Sequence, residues 1–252
     1  MDGVFADMEA ELLRQATLIF GEPMKRRLEE RHGQPEVTAP DADAEAADTP
    51  GDNTSARQAA AEAAPDNVPS TMKTGMSARQ QRRLWRHVES IEDFWQTLRE
   101  LEPGVVKRLA ALALERRWEI IFLTKRPETA GATAQVQSQR WLESKGFPLP
   151  SVFVVQGSRG RIADALGLDI VVDDRPENCL DVVVDSKARA ILVWRQDESL
   201  LPAAARRLGI GVVKTVGESL DVISQIDAAN REDPGVLARV KRLLGFKEPA
   251  NA

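Results

Sequence analysis

Asp169-Ile170-Val171-Val172-Asp173-Asp174-Arg175-Pro176 is the stretch on which the fold turns. Its apolar run has no polar alternation, so neither face is written for water. Such short runs are what buried parallel strands look like. Four more share the pattern: EIIFL (119–123), VFVV (152–155), RAILVW (189–194) and IGVVK (210–214). The segments between them are long enough for crossover helices. The expected fold class is therefore α/β, a doubly wound parallel sheet.

Upstream, the rhythm is helical. Met8, Leu12, Leu13, Ala16, Ile19 and Phe20 recur at helical spacing, and so do Leu84, Val88, Ile91, Phe94, Trp95 and Leu98 within 77–101. Pro103-Gly104 breaks the chain before an Ala/Leu-rich helix at 105–117. Residues 34–70 contain no aromatic, no Leu and no Ile, and eight acidic residues stand against one Arg. Such a segment cannot bury enough apolar surface to offset its ordering entropy, and a disordered acidic insertion is expected. A C-terminal helix is expected over 231–252, with Asp233 as N-cap, Pro234 at the first helical position and Gly245 as the stop.

Composition removes several functions. Net charge is −5, and the insertion holds −7 of it, which leaves about +2 for the rest. No global field attracts nucleic acid or an anionic membrane. No apolar run approaches the ~20 residues of a membrane helix. Cys179 is the only cysteine, so no intramolecular disulfide forms, which fits a reducing cytoplasm. With no His nearby in sequence, it reads as a packed side chain. His32 and His87 are the only histidines and do not make a zinc cluster. Arg79, Arg82, Arg83 and Arg86 form a basic helical face, read as solvated.

In open parallel sheets, function collects at the carboxyl ends of the strands. The first core strand ends in Thr124-Lys125-Arg126, a hydroxyl beside two cations. That set suits a phosphate cradle, and equally a strand-end turn with solvated charges. The third ends in Asp173-Asp174, two carboxylates whose repulsion a hard cation such as Mg²⁺ would relieve. Ser158-Arg159-Gly160-Arg161 opens a helix and brings cations toward the same edge. Met1-Asp2-Gly3-Val4-Phe5-Ala6-Asp7 opens the chain; alone, Asp-Gly is a turn signal.

Together these pieces resemble the haloacid dehalogenase superfamily. Asp2-Gly3-Val4, Leu123-Thr124, Arg159 or Arg161, and Asp173-Asp174 follow the order of its four motifs. DGVFAD and DDRP are similar to its 5′-nucleotidase (deoxyribonucleotidase) branch. The resemblance implies a core at 1–7 and 102–230 and a small helical cap at 8–101. It implies a Mg²⁺-dependent phosphomonoester hydrolase acting on a phosphorylated small molecule, with a nucleotide as one candidate. Asp2 would be the general acid and base, and Thr124 and Arg161 would hold the phosphoryl oxygens. Gly3, Lys125, Arg126 and Arg159 would contact substrate. Asp2 (through its carbonyl), Asp173 and Asp174 would hold the metal. The family's nucleophile, which forms an aspartyl-phosphate, would be the residue before Met1. The central first strand would then also lie upstream, and a start assigned about ten residues too late is expected. The alternative is a catalytically inactive relative that serves as an interaction protein.

Overall fold

The structure, a computed structural model, describes residues 1–31 and 75–232. The acidic stretch 34–70 and the helix expected over 231–252 lie outside the described residues, except that the preceding helix runs on through Glu232. The chain forms two compact units. The described part of one comprises Met1–Met8, Trp95–Lys125 and 133–232; that of the other comprises 9–31, 75–94 and 126–132.

The first unit is α/β with parallel strands. Its strands are β1 (Ile121–Thr124), β2 (Ser151–Val154), β3 (Ile170–Asp173), β4 (Arg189–Val193) and β5 (Gly211–Val213). All five apolar runs are strands. They fall into two sheets, β1–β2 and β3–β4–β5, and every pairing is parallel. Among the described residues, β1 and β3 each pair with another strand on one edge only.

Helices alternate with the strands: α4 (Val105–Arg116), α5 (Ala134–Ser144), α6 (Arg159–Ala165), α7 (Pro176–Asp185), α8 (Ala203–Arg207) and α9 (Val216–Glu232). Local chemistry sets their starts. Thr133 and Ser158 cap α5 and α6 with their hydroxyls, and Pro176 occupies the first turn of α7, where its missing N–H costs nothing. Gly104 offers α4 no side-chain cap; Glu100 accepts from the N–H groups of Gly104 and Val106 instead, both at 2.9 Å. Cys179 and Val182 of α7 meet Ala163 of α6 and Ala190 and Leu192 of β4 in one apolar cluster. Gly160 permits the close approach of α6 to α7, since a Cβ there would lie 2.1 Å from the Asp181 carbonyl oxygen.

The second unit is helical, with α1 (Met8–Phe20), α2 (Glu22–Arg31) and α3 (Ala78–Glu89). Ser77 and Gln80 close a reciprocal capping box on α3. The helix expected through 101 stops at Glu89. There the Ser90 hydroxyl turns back to the His87 carbonyl at 2.6 Å, and Asp93 adopts φ +51°.

Two boundaries differ from the sequence reading. Residues 95–101 belong to the α/β unit, because Trp95 N donates to Gln137 Oε1 at 2.9 Å and Trp141 Nε1 donates to the Leu98 carbonyl at 2.7 Å. Arg126–Ala132 belong to the helical unit. Ala130 N donates to the Glu89 carbonyl, Asp93 N to the Ala130 carbonyl, and Ala132 N to Asp93 Oδ1. Both segments couple through side chains and backbone far away in sequence, which helical periodicity does not encode.

Among the described residues, no helix is long and apolar enough to cross a membrane.

Candidate functional site

The carboxyl ends of β1 and β3 are joined by the first six residues of the chain. Met1–Ala6 folds into a tight turn in which Phe5 N and Ala6 N donate to the Met1 carbonyl, and Gly3 N donates to the Ala6 carbonyl. Two hydrogen bonds pin this turn to the strand-like stretch before α4: Leu101 N to the Phe5 carbonyl and Asp7 N to the Arg99 carbonyl. Phe5 packs edge-on against Phe122 of β1, which packs edge-on against Phe147. The turn is thus held by apolar contact below and by backbone pairing at its side.

This arrangement sets Asp2 against Thr124. The Thr124 hydroxyl donates to Asp2 Oδ2 at 2.9 Å, and the Thr side chain is almost wholly buried at the end of β1. On the other side, Gly3 lies against Asp174. Its φ is +73°, and a Cβ would sit 1.9 Å from Asp174 Oδ2. Only glycine fits, for backbone and for space. Sequence reading gave Gly3 a substrate contact; here its N–H and carbonyl are both committed within the protein.

Asp173 and Asp174 divide their roles. Asp173 Oδ1 accepts from Arg175 N and Asn178 Nδ2, each at 2.9 Å, which ties its carboxylate to the start of α7. Asp174 is half-buried. Desolvation first, and the Asp173 charge second, push its pKa up to about 7. A hydrogen-bonded carboxylate and a crowded one therefore stand side by side.

Arg159 and Arg161 separate cleanly. Arg161 is exposed on α6. Arg159 is 7% exposed, and its Nη1 has no hydrogen-bond partner. Burial lowers its pKa, while the charges of Asp173, Asp2 and Asp174 oppose that shift. The structure thus brings Arg159, not Arg161, to the acidic cluster. The reason is helical phase: two residues along α6 turn the side chain by about 200°. Lys125 is half-buried at the end of β1. Arg126 is buried and falls in the other compact unit.

Sequence reading passed over an ion pair that braces the turn. Arg195, two residues past β4, donates through Nη1 to the Gly3 carbonyl at 2.6 Å and through Nη2 to the Val4 carbonyl at 3.3 Å. Its Nη2 also meets Glu102 Oε1 at 2.7 Å. Glu102 in turn accepts from Val216 N and Gly217 N at the start of α9. Burial raises the Glu102 pKa, but these backbone hydrogen bonds and Arg195 outweigh it and hold the carboxyl below its ordinary value. The position of Arg195 just past a strand was visible in the sequence, but its pairing with Glu102 was not.

The site offers a hydroxyl, a buried cation and three carboxylates. Among the described residues, no three His, Cys, Asp or Glu side chains form a group that could hold a metal ion. Mg²⁺ asks for less, since one or two carboxylates with water and substrate phosphate suffice. The crowding of Asp173 and Asp174, expressed in the raised pKa of Asp174, fits such a cation. No protein-family model matches this chain, and no curated protein and no solved structure is similar to it.

Proposed function

We propose that this chain is the core of a Mg²⁺-dependent phosphomonoester hydrolase of the haloacid dehalogenase kind. One observation carries the reading. A buried Arg159 Nη1 without a partner lies within electrostatic reach of Asp2, Asp173 and Asp174, next to the Thr124–Asp2 hydrogen bond. A phosphoryl group would give that nitrogen its missing acceptor.

In this reading, Asp2 holds the proton that passes to the leaving oxygen and later accepts one from water. Its hydrogen bond from Thr124 orients the carboxylate. With substrate bound, the Thr124 hydroxyl turns from Asp2 to the phosphoryl oxygens, which Arg159 also binds. Arg195 keeps the Gly3 and Val4 carbonyls in place, and with them Asp2. Asp173 Oδ2, Asp174 and the Asp2 carbonyl would hold Mg²⁺, which offsets repulsion between a carboxylate nucleophile and an anionic ester.

The nucleophile belongs to a strand lying between β1 and β3. Two features support that placement: among the described residues β1 and β3 each pair on one edge only, and β3 is only half-buried along Ile170–Val172. The form to assay is therefore a protein extended in frame upstream of Met1. Hydrolysis of an aryl phosphate and of nucleoside monophosphates, with and without Mg²⁺, tests the proposal. Thr124→Val should lower kcat by about 10²–10³-fold, and Asp173→Asn should abolish the Mg²⁺ dependence. A folded, extended protein inert across all substrates overturns the reading.

A further inference from the structure

Helix α3 carries two unlike faces. Leu84, Trp85 and Val88 are buried on one side, and His87 Nε2 lies 3.0 Å from Gln15 Oε1 of α1. On the other side Arg79, Arg82, Arg83 and Arg86 follow the i, i+3, i+4, i+7 spacing of a single stripe. Arg79, Arg83 and Arg86 are exposed and Arg82 is half-buried. The Arg83 guanidinium rests over the Phe20 ring of α1 at 5.3 Å, which fixes its direction. Among the described residues, none of the four side chains makes a hydrogen bond or an ion pair.

The stripe weakens the helix that carries it. Its members are like-charged neighbours three or four residues apart, which repel. Arg79 also stands in the first turn, where a cation opposes the helix dipole. Glu89, at the last position, is the only acid on α3. The buried face and the Ser77 capping box hold the helix without any of the four arginines. A local cost without a local return points to a use for the charge outside the helix.

The surface limits what that use is. It is the convex side of a helix, and a single exposed ion pair is worth little, so a partner must engage several guanidinium groups at once. Seven residues at 1.5 Å span about 10.5 Å, or two turns. That is too short for duplex nucleic acid, whose binders engage about 6–10 phosphates. Single-stranded nucleic acid is held by aromatic faces set among the cations. Here the Phe20 face is taken by Arg83, and Trp85 is buried on the opposite side. A membrane surface takes helices that turn their apolar face to the lipid, and α3 turns its own inward.

An acidic peptide in extended conformation meets these limits. Its alternate side chains point one way and recur about every 6.6 Å, close to the 5.4 Å of one helical turn. Every cation of the stripe is arginine, whose planar fork takes a carboxylate through paired hydrogen bonds.

We propose that the α3 arginine stripe docks an extended acidic segment of a partner protein, with carboxylates at alternate positions. The inference is independent of the hydrolase reading, since no residue of that site belongs to the stripe.

The experiment uses the whole chain and a fluorescein-labelled peptide with Glu at every second position and Thr between, followed by anisotropy at low salt. Three proteins are compared: wild type, Arg79→Gln/Arg86→Gln, and Lys187→Gln/Arg207→Gln. The last removes the same charge from exposed positions of the α/β unit. The stripe variant should bind the peptide about fivefold to tenfold more weakly than wild type, and the control within about twofold. Salt at about 1 M, where the Debye length is ~3 Å, should abolish binding. No binding to wild type, or equal affinity in the stripe variant, overturns the proposal. So does an equal loss in the control, which would mean that net charge alone attracts the peptide. An RNA oligonucleotide of the same charge that binds wild type more tightly than the peptide, and loses affinity in the stripe variant, overturns it in favour of nucleic acid. Both stripe substitutions fall on exposed side chains, and an unchanged circular dichroism spectrum checks that the fold is kept.

Discussion

β3 and β4 lie side by side in parallel register, Ile170 against Arg189 through Asp173 against Leu192. Their residues are similar, Ile-Val-Val in one and Ala-Ile-Leu-Val in the other. Their surroundings differ. β4 has β3 on one edge and β5 on the other, and Ala190, Ile191, Leu192 and Val193 are all buried. Among the described residues β3 has β4 on one edge only, and Ile170, Val171 and Val172 stay half-buried. A run apolar on both faces specifies a strand meant for burial, but it does not say what completes that burial. Pairing on both edges does, because each added strand brings its own side chains and its connecting helix.

The largest expected effect comes from the closed side. Ile191 has no exposed surface, and Ile191→Ala should cost about 2–5 kcal/mol. Val171→Ala on the open side removes two partly exposed methyl groups and should cost about 1 kcal/mol. Denaturant midpoints of the two variants measure the gap directly. Equal costs would break the comparison.

Gly160→Ala sharpens it from the helical layer over β4. A Cβ at Gly160 meets the Asp181 backbone, which cannot swing aside, so α6 must move off α7. Overpacking of this kind costs about 1–3 kcal/mol. Gly167 is the control. Its φ is +61° but a Cβ would meet nothing within 4 Å, so alanine there brings backbone strain alone, about 1 kcal/mol. Thermal unfolding that ranks Gly167→Ala above Gly160→Ala would contradict the close α6–α7 contact.

These elements also show what the sequence could and could not tell. All five strands were legible, because runs such as Ile170–Val172 have no polar alternation. Asp2, Thr124 and the Asp pair were legible as strand-end or turn residues. The division of labour between Asp173 and Asp174 was not, since it depends on Asn178 donating from one turn into α7. Arg159 was not separable from Arg161 without the phase of α6. The bracing pair Arg195–Glu102 joins residues 93 positions apart, and no local pattern carries such a contact.

That brace gives a pH-dependent prediction. The Glu102 carboxyl is held below its ordinary value, so the folded state releases its proton more readily than the unfolded chain. Its contribution to stability is then present above the unfolded carboxyl value, near pH ~4.3, and is lost as pH falls through the folded value. Glu102→Gln should flatten the fall in unfolding free energy below about pH 4.3 and lower stability at neutral pH. A variant with the same acid slope as wild type would show that Glu102 is not strongly engaged.

The smallest effect separates the two arginines of α6. Arg161 is exposed and lies away from the acidic cluster, so Arg161→Ala should change stability by no more than about 0.5 kcal/mol. It should also leave binding of inorganic phosphate unchanged. Arg159→Met differs in kind. It replaces a buried cation, whose Nη1 has no acceptor but whose charge faces Asp173, Asp2 and Asp174, by a side chain of similar length, so phosphate binding should be lost while the fold is kept. Calorimetric titration of phosphate into both variants decides the matter. Binding that survives Arg159→Met and fails in Arg161→Ala would reverse the assignment. It would also mean that α6 presents to the carboxylates the face now turned to solvent.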